Sequence, residues 1–498
     1  MIYGFGMIIV TVRRGMDMRK LKMYIDGKWV DSKSKEIITI FNPANYEPIA
    51  QVPRGNNEDV NQAVEAARKA FESQQWRNIK PYERGYILLE MAKRIRQCKD
   101  ELALLETLDV GKPLSQSYAD VEAAARYFEF YGGVADKIMG ETIPVEPGIL
   151  DYTIREPLGV TVHIIPWNYP IQISSRSAAA AIAAGNTVVM KPAEDAPLTA
   201  LKLAELFDEV NLPKGIFNVV TGFGHEAGAA LVSHPNIDHV TFTGSVETGV
   251  SVMQAAAKNV IPVTLELGGK SPNIVFSDCD KEEALHWIVK SIVQNAGQTC
   301  SAGSRLIIEK SIKDSFIEAL IERFKNITIG PGIEDFDIGP IISKKQFDRI
   351  QKFLLMAERE GKILVGGQQV IIPGNEKGYY VQPTIVDEVD PNSPLAQEEI
   401  FGPVLTVLTF ESEEEAIQIA NGTKFGLVTG IWTSDVKRAH RIAERIQSGQ
   451  VFINNYAAGG GIQMPFGGYK RSGFGREKGL EALKNYTQLK NVALKYYD

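Results

Sequence analysis

The stretch Gly297-Gln298-Thr299-Cys300-Ser301-Ala302-Gly303-Ser304-Arg305 places one cysteine among small residues. It directly follows an apolar run with helical character, Ala284 to Val293. Small neighbours suit a turn that is open to a ligand, and a cysteine there indicates a nucleophile. The alternative is a small buried hydrophobe. The other two cysteines have different surroundings, because Cys98 falls in a helical run and Cys279 in a charged turn.

Two more stretches supply groups that complement a nucleophilic thiol. Leu265-Glu266-Leu267-Gly268-Gly269-Lys270 places a carboxylate between apolar neighbours, which raises its pKa and makes it a better base near neutral pH. Pro166-Trp167-Asn168-Tyr169-Pro170 places a side-chain amide after a strand, where it could hold an oxyanion. The alternatives are a salt-bridged glutamate at a strand end and an asparagine that shapes a turn.

Strands and helices alternate strictly from residue 159 to residue 265. The apolar, β-branched strands fall at 159–165, 187–190, 216–220, 239–242 and 263–265, with helices at 174–184, 198–210, 227–232 and 246–257. This order predicts a parallel sheet that is covered on both faces. Ligands bind at the carboxyl ends of such strands, where Asn168, Lys191, Ser245 and Glu266 all fall.

The remainder of the chain predicts four further features. A hairpin spans 23–30, and helices follow it, the third of which is expected to end at Gly132-Gly133. A second α/β series runs from about 270 to 467, with long helices near 311–325 and 342–360. Residues 151–155 and 488–497 alternate as strands, and they are expected to pair with each other or with another chain.

Composition narrows the possible function. The 498 residues are 44% apolar and 23% charged, which is ordinary for a globular protein of two or three domains. A net charge of −7 argues against nucleic acid as a partner. Three cysteines suit a reducing compartment such as the cytoplasm. The six histidines form no cluster, which argues against a metal site.

The N-terminus carries an apolar run, Ile2 to Val12, that is too short to span a bilayer. Its basic residues follow the run rather than precede it, which argues against a secretion signal or an anchor. We interpret residues 1–22 as a disordered extension or as the product of an upstream start codon, and expect no membrane association.

Seven motifs together resemble the aldehyde dehydrogenase superfamily, from about Met23 to Tyr497. In order they are PWNYP, KPAE, FTGSVETG, LELGGK, GQTC, EEIFGP and PFGGYKRSG. The resemblance implies an α/β fold with a Rossmann-like NAD(P)-binding domain, a catalytic domain and a small β arm that builds homodimers or homotetramers. The implied boundaries are 23–139 with 158–267 for the cofactor domain, 268–467 for the catalytic domain, and 140–157 with 480–498 for the arm.

The resemblance also implies a reaction, the oxidation of aldehydes to carboxylic acids. Cys300 would attack the aldehyde, while the Asn168 amide and the Cys300 backbone N–H stabilise the oxyanion. Losing one such donor typically costs ~3 kcal/mol. Hydride would pass to the nicotinamide and leave a thioester, which water activated by Glu266 would hydrolyse. Family members that transfer the acyl group to coenzyme A generally lack this glutamate, so water is the expected acceptor.

The cofactor residues follow from the same resemblance. Gly244 and Ser245 open a helix whose N–H groups suit a pyrophosphate. Lys191 and Glu194 would hold the adenosine ribose, and the carboxylate favours NAD, although Lys191 leaves NADP open. Further cofactor contacts are expected from the motifs PWNYP and EEIFGP, through Pro166, Trp167, Glu399 and Phe401. Gly222 to Gly228 is one residue too long for the dinucleotide fingerprint, and we interpret it as a tight turn near the adenine.

One position departs from the common pattern of the family. Many members have Trp-Lys after the PWN motif, whereas this chain has Arg176-Ser177. The resemblance places Arg176, with Tyr169, beside the substrate. Succinate-semialdehyde dehydrogenases use an arginine there for the substrate carboxylate, but they carry a second arginine where this chain has Gln294. Arg176 therefore either favours acid-tailed or polar aldehydes or pairs with a structural carboxylate.

Two rival functions remain at this stage. The first is a coenzyme A-acylating dehydrogenase, which the presence of Glu266 disfavours. The second is a non-catalytic structural protein on the same fold, as some lens proteins are. Such a protein should have lost at least one of Cys300, Glu266 and Asn168, and this chain has all three.

Overall fold

The computed structural model of the protein describes residues 19–456 and 461–497. Most of the N-terminal extension expected at 1–22 therefore lies outside the described residues. The described chain builds two large sheets, each flanked by helices, and three small sheets. No helix in this part of the chain is both long and apolar enough to cross a membrane.

The first large sheet has eight strands and contains the predicted strand–helix series. In spatial order the strands are Gly473–Phe474, Val263–Glu266, His239–Thr243, Val160–Ile164, Thr187–Lys191, Phe217–Val219, Met23–Ile25 and Lys28–Val30. The five central strands are parallel, which confirms the predicted sheet, and the outer strands pair antiparallel. Their carboxyl ends meet at one edge, where the candidate site lies.

Helices cover both faces of the eight-stranded sheet. They are Asn57–Glu72, Gln74–Arg77, Pro81–Gln97, Lys99–Val110, Leu114–Val134, Pro170–Ala184, Leu198–Glu209, Ala229–Val232 and Val246–Ala257. The Ala-rich helix Pro170–Ala184 is buried along almost its whole length, because alanine lets neighbouring elements approach closely. It ends at Gly185, whose φ of 96° lies in the left-handed region that glycine adopts without strain.

The structure corrects two details of the predicted helices. The helix expected to end at Gly132-Gly133 continues to Val134, because Gly132 is a packing position rather than a stop signal. A Cβ at Gly132 would lie 2.9 Å from the carbonyl oxygen of Gly85, so the small residues let two helices touch. Cys98 is not inside a helix but at the junction of Pro81–Gln97 and Lys99–Val110.

The second large sheet has seven strands and corresponds to the second α/β series. In spatial order they are Lys362–Val365, Thr384–Asp387, Val404–Phe410, Arg305–Glu309, Pro272–Val275, Val428–Trp432 and Gln450–Ile453. All neighbours are parallel except the first pair. Its helices are Lys281–Val293, Lys313–Lys325, Lys344–Glu360, Pro394–Gln397, Glu413–Asn421 and Val436–Arg445, which agrees with the two long helices expected here.

The small sheets include the segments whose place was left open by the sequence. Strand Ile149–Pro157 pairs antiparallel with Thr487–Lys495 along its full length, and with Thr142–Ile143 on its other side. The first of the two alternatives, pairing with each other, is therefore correct for this chain. The helix Glu481–Asn485 leads into this arm sheet. The other two sheets join Arg19–Lys20, Pro48–Pro53 and Ile37–Phe41, and Gln369–Val370 with Tyr380–Val381.

Candidate active site

The loop that carries Cys300 begins with an uncommon backbone conformation. After helix Lys281–Val293, Asn295, Ala296 and Gly297 all have positive φ angles, of 49°, 54° and 73°. Residues other than glycine rarely adopt this region, so surrounding contacts must hold the loop. A Cβ at Gly297 would lie 2.2 Å from the carbonyl of Gly402, so only glycine permits this close approach.

Glu266 lies beside the loop at the end of strand Val263–Glu266. A Cβ at Gly269 would lie 2.5 Å from the carbonyl oxygen of Cys300, which shows that the two loops touch. The Glu266 carboxylate is buried, and neither of its oxygens has a hydrogen-bond partner among the described residues. Burial raises the pKa of Glu266 well above its ordinary value, while Arg176 opposes this shift. The carboxyl group is therefore poised to exchange a proton.

Asn168 reaches the same loop from the other side. Its buried amide nitrogen donates to the carbonyl of Gln298, at 3.0 Å, and the Asn295 amide donates to the Asn168 carbonyl, at 3.1 Å. An amide group has two N–H donors, so this contact leaves one for a ligand. The Tyr169 hydroxyl lies 2.8 Å from the Thr299 hydroxyl, which ties the neighbouring residue to the loop as well.

The thiol of Cys300 is free and half-buried. Loss of solvent raises its pKa to about 12, and the carboxyl groups of Glu266 and Glu399 add to this shift, whereas the charges of Arg176 and Lys478 oppose it. In the protein alone the thiol is therefore protonated at neutral pH. It becomes a nucleophile only when a base takes its proton or when more positive charge arrives.

Arg176 lies close to the reacting groups, but its guanidinium already has a partner. It forms a buried ion pair with Glu477, and it also contacts the Thr243 hydroxyl at 3.4 Å. Although burial favours the neutral form, Glu477 keeps the pKa of Arg176 above its ordinary value. These contacts favour the alternative in which Arg176 pairs with a structural carboxylate.

The expected cofactor residues fall into two groups on the edge of the eight-stranded sheet. Ser245 caps helix Val246–Ala257 and accepts from the Thr248 N–H at 3.3 Å. A Cβ at Gly244 would lie 2.6 Å from the Phe242 ring, so a side chain there would displace this ring. In the second group, the Lys191 ammonium donates to the Glu194 carboxylate at 2.9 Å.

The remaining expected cofactor residues meet beside the Cys300 loop. The Glu399 carboxylate accepts from the Gly269 N–H at 3.0 Å, and burial raises the pKa of Glu399 to about 7. Phe401 has a φ of 62° and meets the half-buried Trp167 edge to face, with ring centroids 5.4 Å apart. Pro166, also half-buried, precedes Trp167. The motifs PWNYP and EEIFGP therefore share one wall of the site.

Sequence reasoning missed three residues that the fold brings to this site. Glu477 and Lys478 are buried, and they follow the last quoted motif, PFGGYKRSG, by only a few positions. Phe466, inside that motif, exchanges backbone hydrogen bonds with Glu477 at 2.6 and 2.7 Å. Two buried charged residues directly after a glycine-rich motif were an available signal, because burial of charge is unusual.

The amide donor Asn168 and the segment that follows the buried Glu266 carboxyl group both contact the loop that carries the Cys300 thiol, an arrangement that suits acyl transfer on a dinucleotide-binding type of fold. A sequence model described as the aldehyde dehydrogenase family matches residues 29–492. The chain belongs to the aldehyde dehydrogenase family, and it is an enzyme that oxidises aldehydes to carboxylic acids.

Individual relatives agree with this assignment. Betaine aldehyde dehydrogenase of Bacillus subtilis (strain 168) is 44% identical over 477 residues, covering 94% of this chain and 96% of the relative. Aminoaldehyde dehydrogenase 2 of Solanum lycopersicum is 44% identical over 479 residues, covering 95% and 94%.

A solved structure, the NAD+ complex of aldehyde dehydrogenase from Bacillus cereus, matches with a TM-score of 0.94 at 41% identity, covering 96% of this chain and 97% of that one. The fold and the reaction class predicted from the sequence are thereby confirmed.

Proposed function

We propose that this enzyme uses NAD and water, with Cys300 as nucleophile, Glu266 as the base that activates water, and Asn168 as the oxyanion donor. The observation that carries the proposal is the Glu266 carboxylate, which is buried beside the Cys300 loop with no hydrogen-bond partner in the described chain. A structural carboxylate at such a depth is normally paired. An unpaired one implies a partner that arrives during the reaction.

The residues would act in two stages. First, the Cys300 sulfur bonds to the aldehyde carbon, and the thiol proton leaves through water to Glu266. The oxyanion that forms accepts from the free N–H of the Asn168 amide and from the Cys300 N–H. After oxidation the acyl group remains on Cys300 as a thioester. Glu266 releases the proton that it took from Cys300 to solvent, and then removes a proton from water. The hydroxide adds to the thioester carbon, and the tetrahedral intermediate expels the Cys300 sulfur as a thiolate. The Glu266 carboxyl group returns its proton to this thiolate, so the acid leaves and the thiol is restored.

The described residues fit a dinucleotide. The turn at Gly244 has no room for a side chain, and Ser245 begins a twelve-residue helix whose N–H groups suit a pyrophosphate. Glu194, held by Lys191, suits ribose hydroxyls and repels a 2′-phosphate, so NAD is favoured over NADP. Pro166, Trp167, Glu399 and Phe401 would line the nicotinamide end. When bound, NAD supplies the hydride acceptor and a positively charged ring near the thiol.

Water is the proposed acyl acceptor rather than coenzyme A. The raised pKa of the Glu266 carboxyl group makes it a stronger base, which suits proton removal from water. The non-catalytic alternative would be supported by the loss of a reacting residue, whereas this chain has Cys300, Glu266 and Asn168. No specific observation favours either rival.

The assembly and compartment are also part of the proposal. Strand Thr487–Lys495 lies at one edge of the arm sheet and exposes Leu489 and Leu494. An apolar edge strand suits pairing with a second copy, so we expect a homodimer or a homotetramer in the cytoplasm. Sedimentation equilibrium of the purified protein would distinguish these states from a monomer.

The role of Arg176 in substrate choice can be tested directly. An arginine beside the substrate would favour acid-tailed or polar aldehydes, whereas the ion pair with Glu477 supports a structural role. Comparing kcat/KM for succinate semialdehyde and hexanal in the wild type and Arg176→Ala would test this. If the substitution changes both values equally, Arg176 has a structural role only.

The first experiment follows NADH absorbance with a panel of aldehydes. Cys300→Ala should lower kcat by more than ~10⁴-fold, because no other group can form the thioester. NAD binding, followed by fluorescence, should remain. Cys279→Ala is the matched control, since Cys279 lies half-buried in a charged turn and should leave turnover unchanged. Turnover by Cys300→Ala at the wild-type rate would disprove the proposal.

A further inference from the structure

We propose that Lys478 selects substrates by charge, so that the pocket favours aldehydes with a carboxylate tail and rejects aldehydes with a quaternary ammonium tail. This inference rests on the function proposed above and names the substrate class of the same site. It concerns a residue to which sequence reasoning gave no role.

The backbone fixes where Lys478 points. Phe466 and Glu477 hold each other through two backbone hydrogen bonds, and Lys478 follows with a φ of 63°. This left-handed conformation is costly for lysine, so the surrounding packing must impose it. The side chain is buried, and its ammonium group lies 5.0 Å from the centroid of the Phe466 ring. Lys478 is therefore directed into the molecule, on an aromatic wall near Cys300.

The same ring carries a second cation. The Arg176 guanidinium lies 5.6 Å from the Phe466 centroid, so two buried positive groups share one aromatic side chain. Cys300 packs against the apolar cluster that contains Phe466. Like charges held together in a buried place repel each other, and an anion that contacts both would relieve the repulsion.

The charged and titratable groups that act on Lys478 include three from other parts of the chain. They are Arg176 on helix Pro170–Ala184, Glu266 at a strand end and Cys300 on its loop, and the adjacent Glu477 adds a fourth. Arg176 and Glu477 form an ion pair, and burial raises the pKa of Glu266 well above its ordinary value, which disfavours its negative charge. Burial, together with the charge of Arg176, lowers the pKa of Lys478 to about 7. Its charge is therefore sensitive to whatever anion enters the pocket.

The wall that Phe466 provides is unsuited to a cationic substrate. Proteins recognise quaternary ammonium groups on the faces of aromatic rings, and here two cations of the protein lie against that ring. A desolvated like-charge contact costs several kcal/mol. The similarity to enzymes named for betaine aldehyde and aminoaldehydes therefore does not extend to their cationic substrates.

The test compares kcat/KM for three aldehydes of similar length. They are succinate semialdehyde, which carries a carboxylate, pentanal, which is neutral, and betaine aldehyde, which carries a quaternary ammonium. For the wild type at pH 6.5 we expect the order anionic, neutral, cationic, with the anionic aldehyde favoured over the cationic one by roughly a hundredfold. A kcat/KM for betaine aldehyde equal to or above that for succinate semialdehyde would overturn the proposal, whatever the variants do.

Variants at one position separate charge from packing. Lys478→Met should lower the anionic-to-neutral ratio of kcat/KM about tenfold, and Lys478→Arg should keep it, because only the latter retains a cation. Lys484→Met is the matched control, since Lys484 is exposed and pairs with Glu481 on the following helix. An unchanged ratio in Lys478→Met would overturn the proposal.

A pH profile supplies a readout that a purely structural lysine would not move. As pH rises from 6 to 8, Lys478 should lose its proton, and the anionic-to-neutral ratio should fall about tenfold in the wild type and stay flat in Lys478→Met. Titrations that both substrates share cancel in this ratio. A flat profile in the wild type would overturn the proposal. Absence of NADH formation with every aldehyde would instead overturn the proposed function.

Discussion

Two buried clusters of charged residues contact helix Pro170–Ala184, and they differ in how fully their atoms are paired. In the first, Lys112 donates to Asp120 at 2.5 Å and to Glu106 at 3.4 Å. The remaining oxygens accept from the Ile171 N–H, the Thr199 hydroxyl and the Gln172 amide. We call this group, centred on Glu106, Lys112 and Asp120, the scaffold cluster.

The second group, which we call the pocket cluster, consists of Glu266, Arg176, Glu477 and Lys478. Here the Glu266 oxygens have no hydrogen-bond partner in the part of the chain that the structure describes. A fully satisfied buried network rigidifies a fold, whereas an unsatisfied group costs stability unless function retains it. Pairing, rather than burial alone, therefore separates the supporting charges from the reacting ones.

The largest expected effect comes from neutralising the reacting carboxyl group. Glu266→Gln should lower kcat roughly a thousandfold, because an amide cannot remove a proton from water. Thermal stability should stay close to that of the wild type, since burial already favours the uncharged form. Intact-protein mass spectrometry should detect an acyl group on Cys300 during turnover.

Exposed Glu283→Gln is the control for that variant, because it changes the same functional group at a surface position. A Glu266→Gln enzyme with wild-type kcat and no acylated protein would remove the basis for distinguishing the two clusters.

In the scaffold cluster, a substitution is expected to lower thermal stability. Lys112→Met keeps the side chain's length but leaves Glu106 and Asp120 buried without their cation. Breaking such a pair costs about 3 kcal/mol, so the Tm should fall by several degrees in differential scanning calorimetry. Lys93→Met, which disrupts only an exposed pair with Glu90, should leave the Tm unchanged. Equal Tm values for both variants would contradict the comparison.

A smaller effect should appear at acidic pH, where two buried histidines, His163 and His239, bond to threonine hydroxyls and to no carboxylate of the residues that the structure describes. Burial lowers the pKa of both His163 and His239 to about 3. The charge of His239 adds to the lowering of the pKa of His163. Their ordinary value of 6.5 applies when the chain unfolds, so the unfolded state binds more protons below that pH. Stability should be complete above pH 6.5 and should fall as pH drops toward 3, by about 1.4 kcal/mol per pH unit for each histidine.

Calorimetry at pH 7 and pH 5 would measure this loss. His163→Leu should show a smaller fall in Tm between the two pH values than the wild type. His225→Gln, at a site whose side chain is 75% exposed, should show the same fall as the wild type. An identical fall in all three proteins would assign acid sensitivity to other groups.

The sequence was sufficient for the features that depend on local pattern. The alternation of β-branched strands and helices between 159 and 265 predicted the parallel sheet, because period and composition are local properties. The helix end expected at Gly132-Gly133 fell one residue short of the observed end at Val134, because a glycine can serve packing as well as termination. That distinction depends on Gly85, which is distant in the sequence.

The charged pocket could be predicted only in part. The position of Arg176 was expected, but its partner Glu477 is about 300 residues away, and no local pattern reports such a contact. The left-handed backbone at Asn295 and Ala296 has no sequence signature, because the loop is held by residues distant in the sequence, such as Asn168, whose carbonyl accepts from the Asn295 amide. The roles of the cofactor residues remain predictions, although the fold brings them to one edge.

The segment from Gly473 to Lys495 completes three separate structures. It adds a strand beside Glu266, supplies Glu477 and Lys478, and closes the arm sheet against Ile149–Pro157. During synthesis, every earlier element leaves the ribosome before these partners exist, so the pairing of strand 263–266 with 473–474 must wait for them. In a nascent chain the site is therefore incomplete. The Cys300 thiol has Lys478 near it only after the segment 473–495 has been translated.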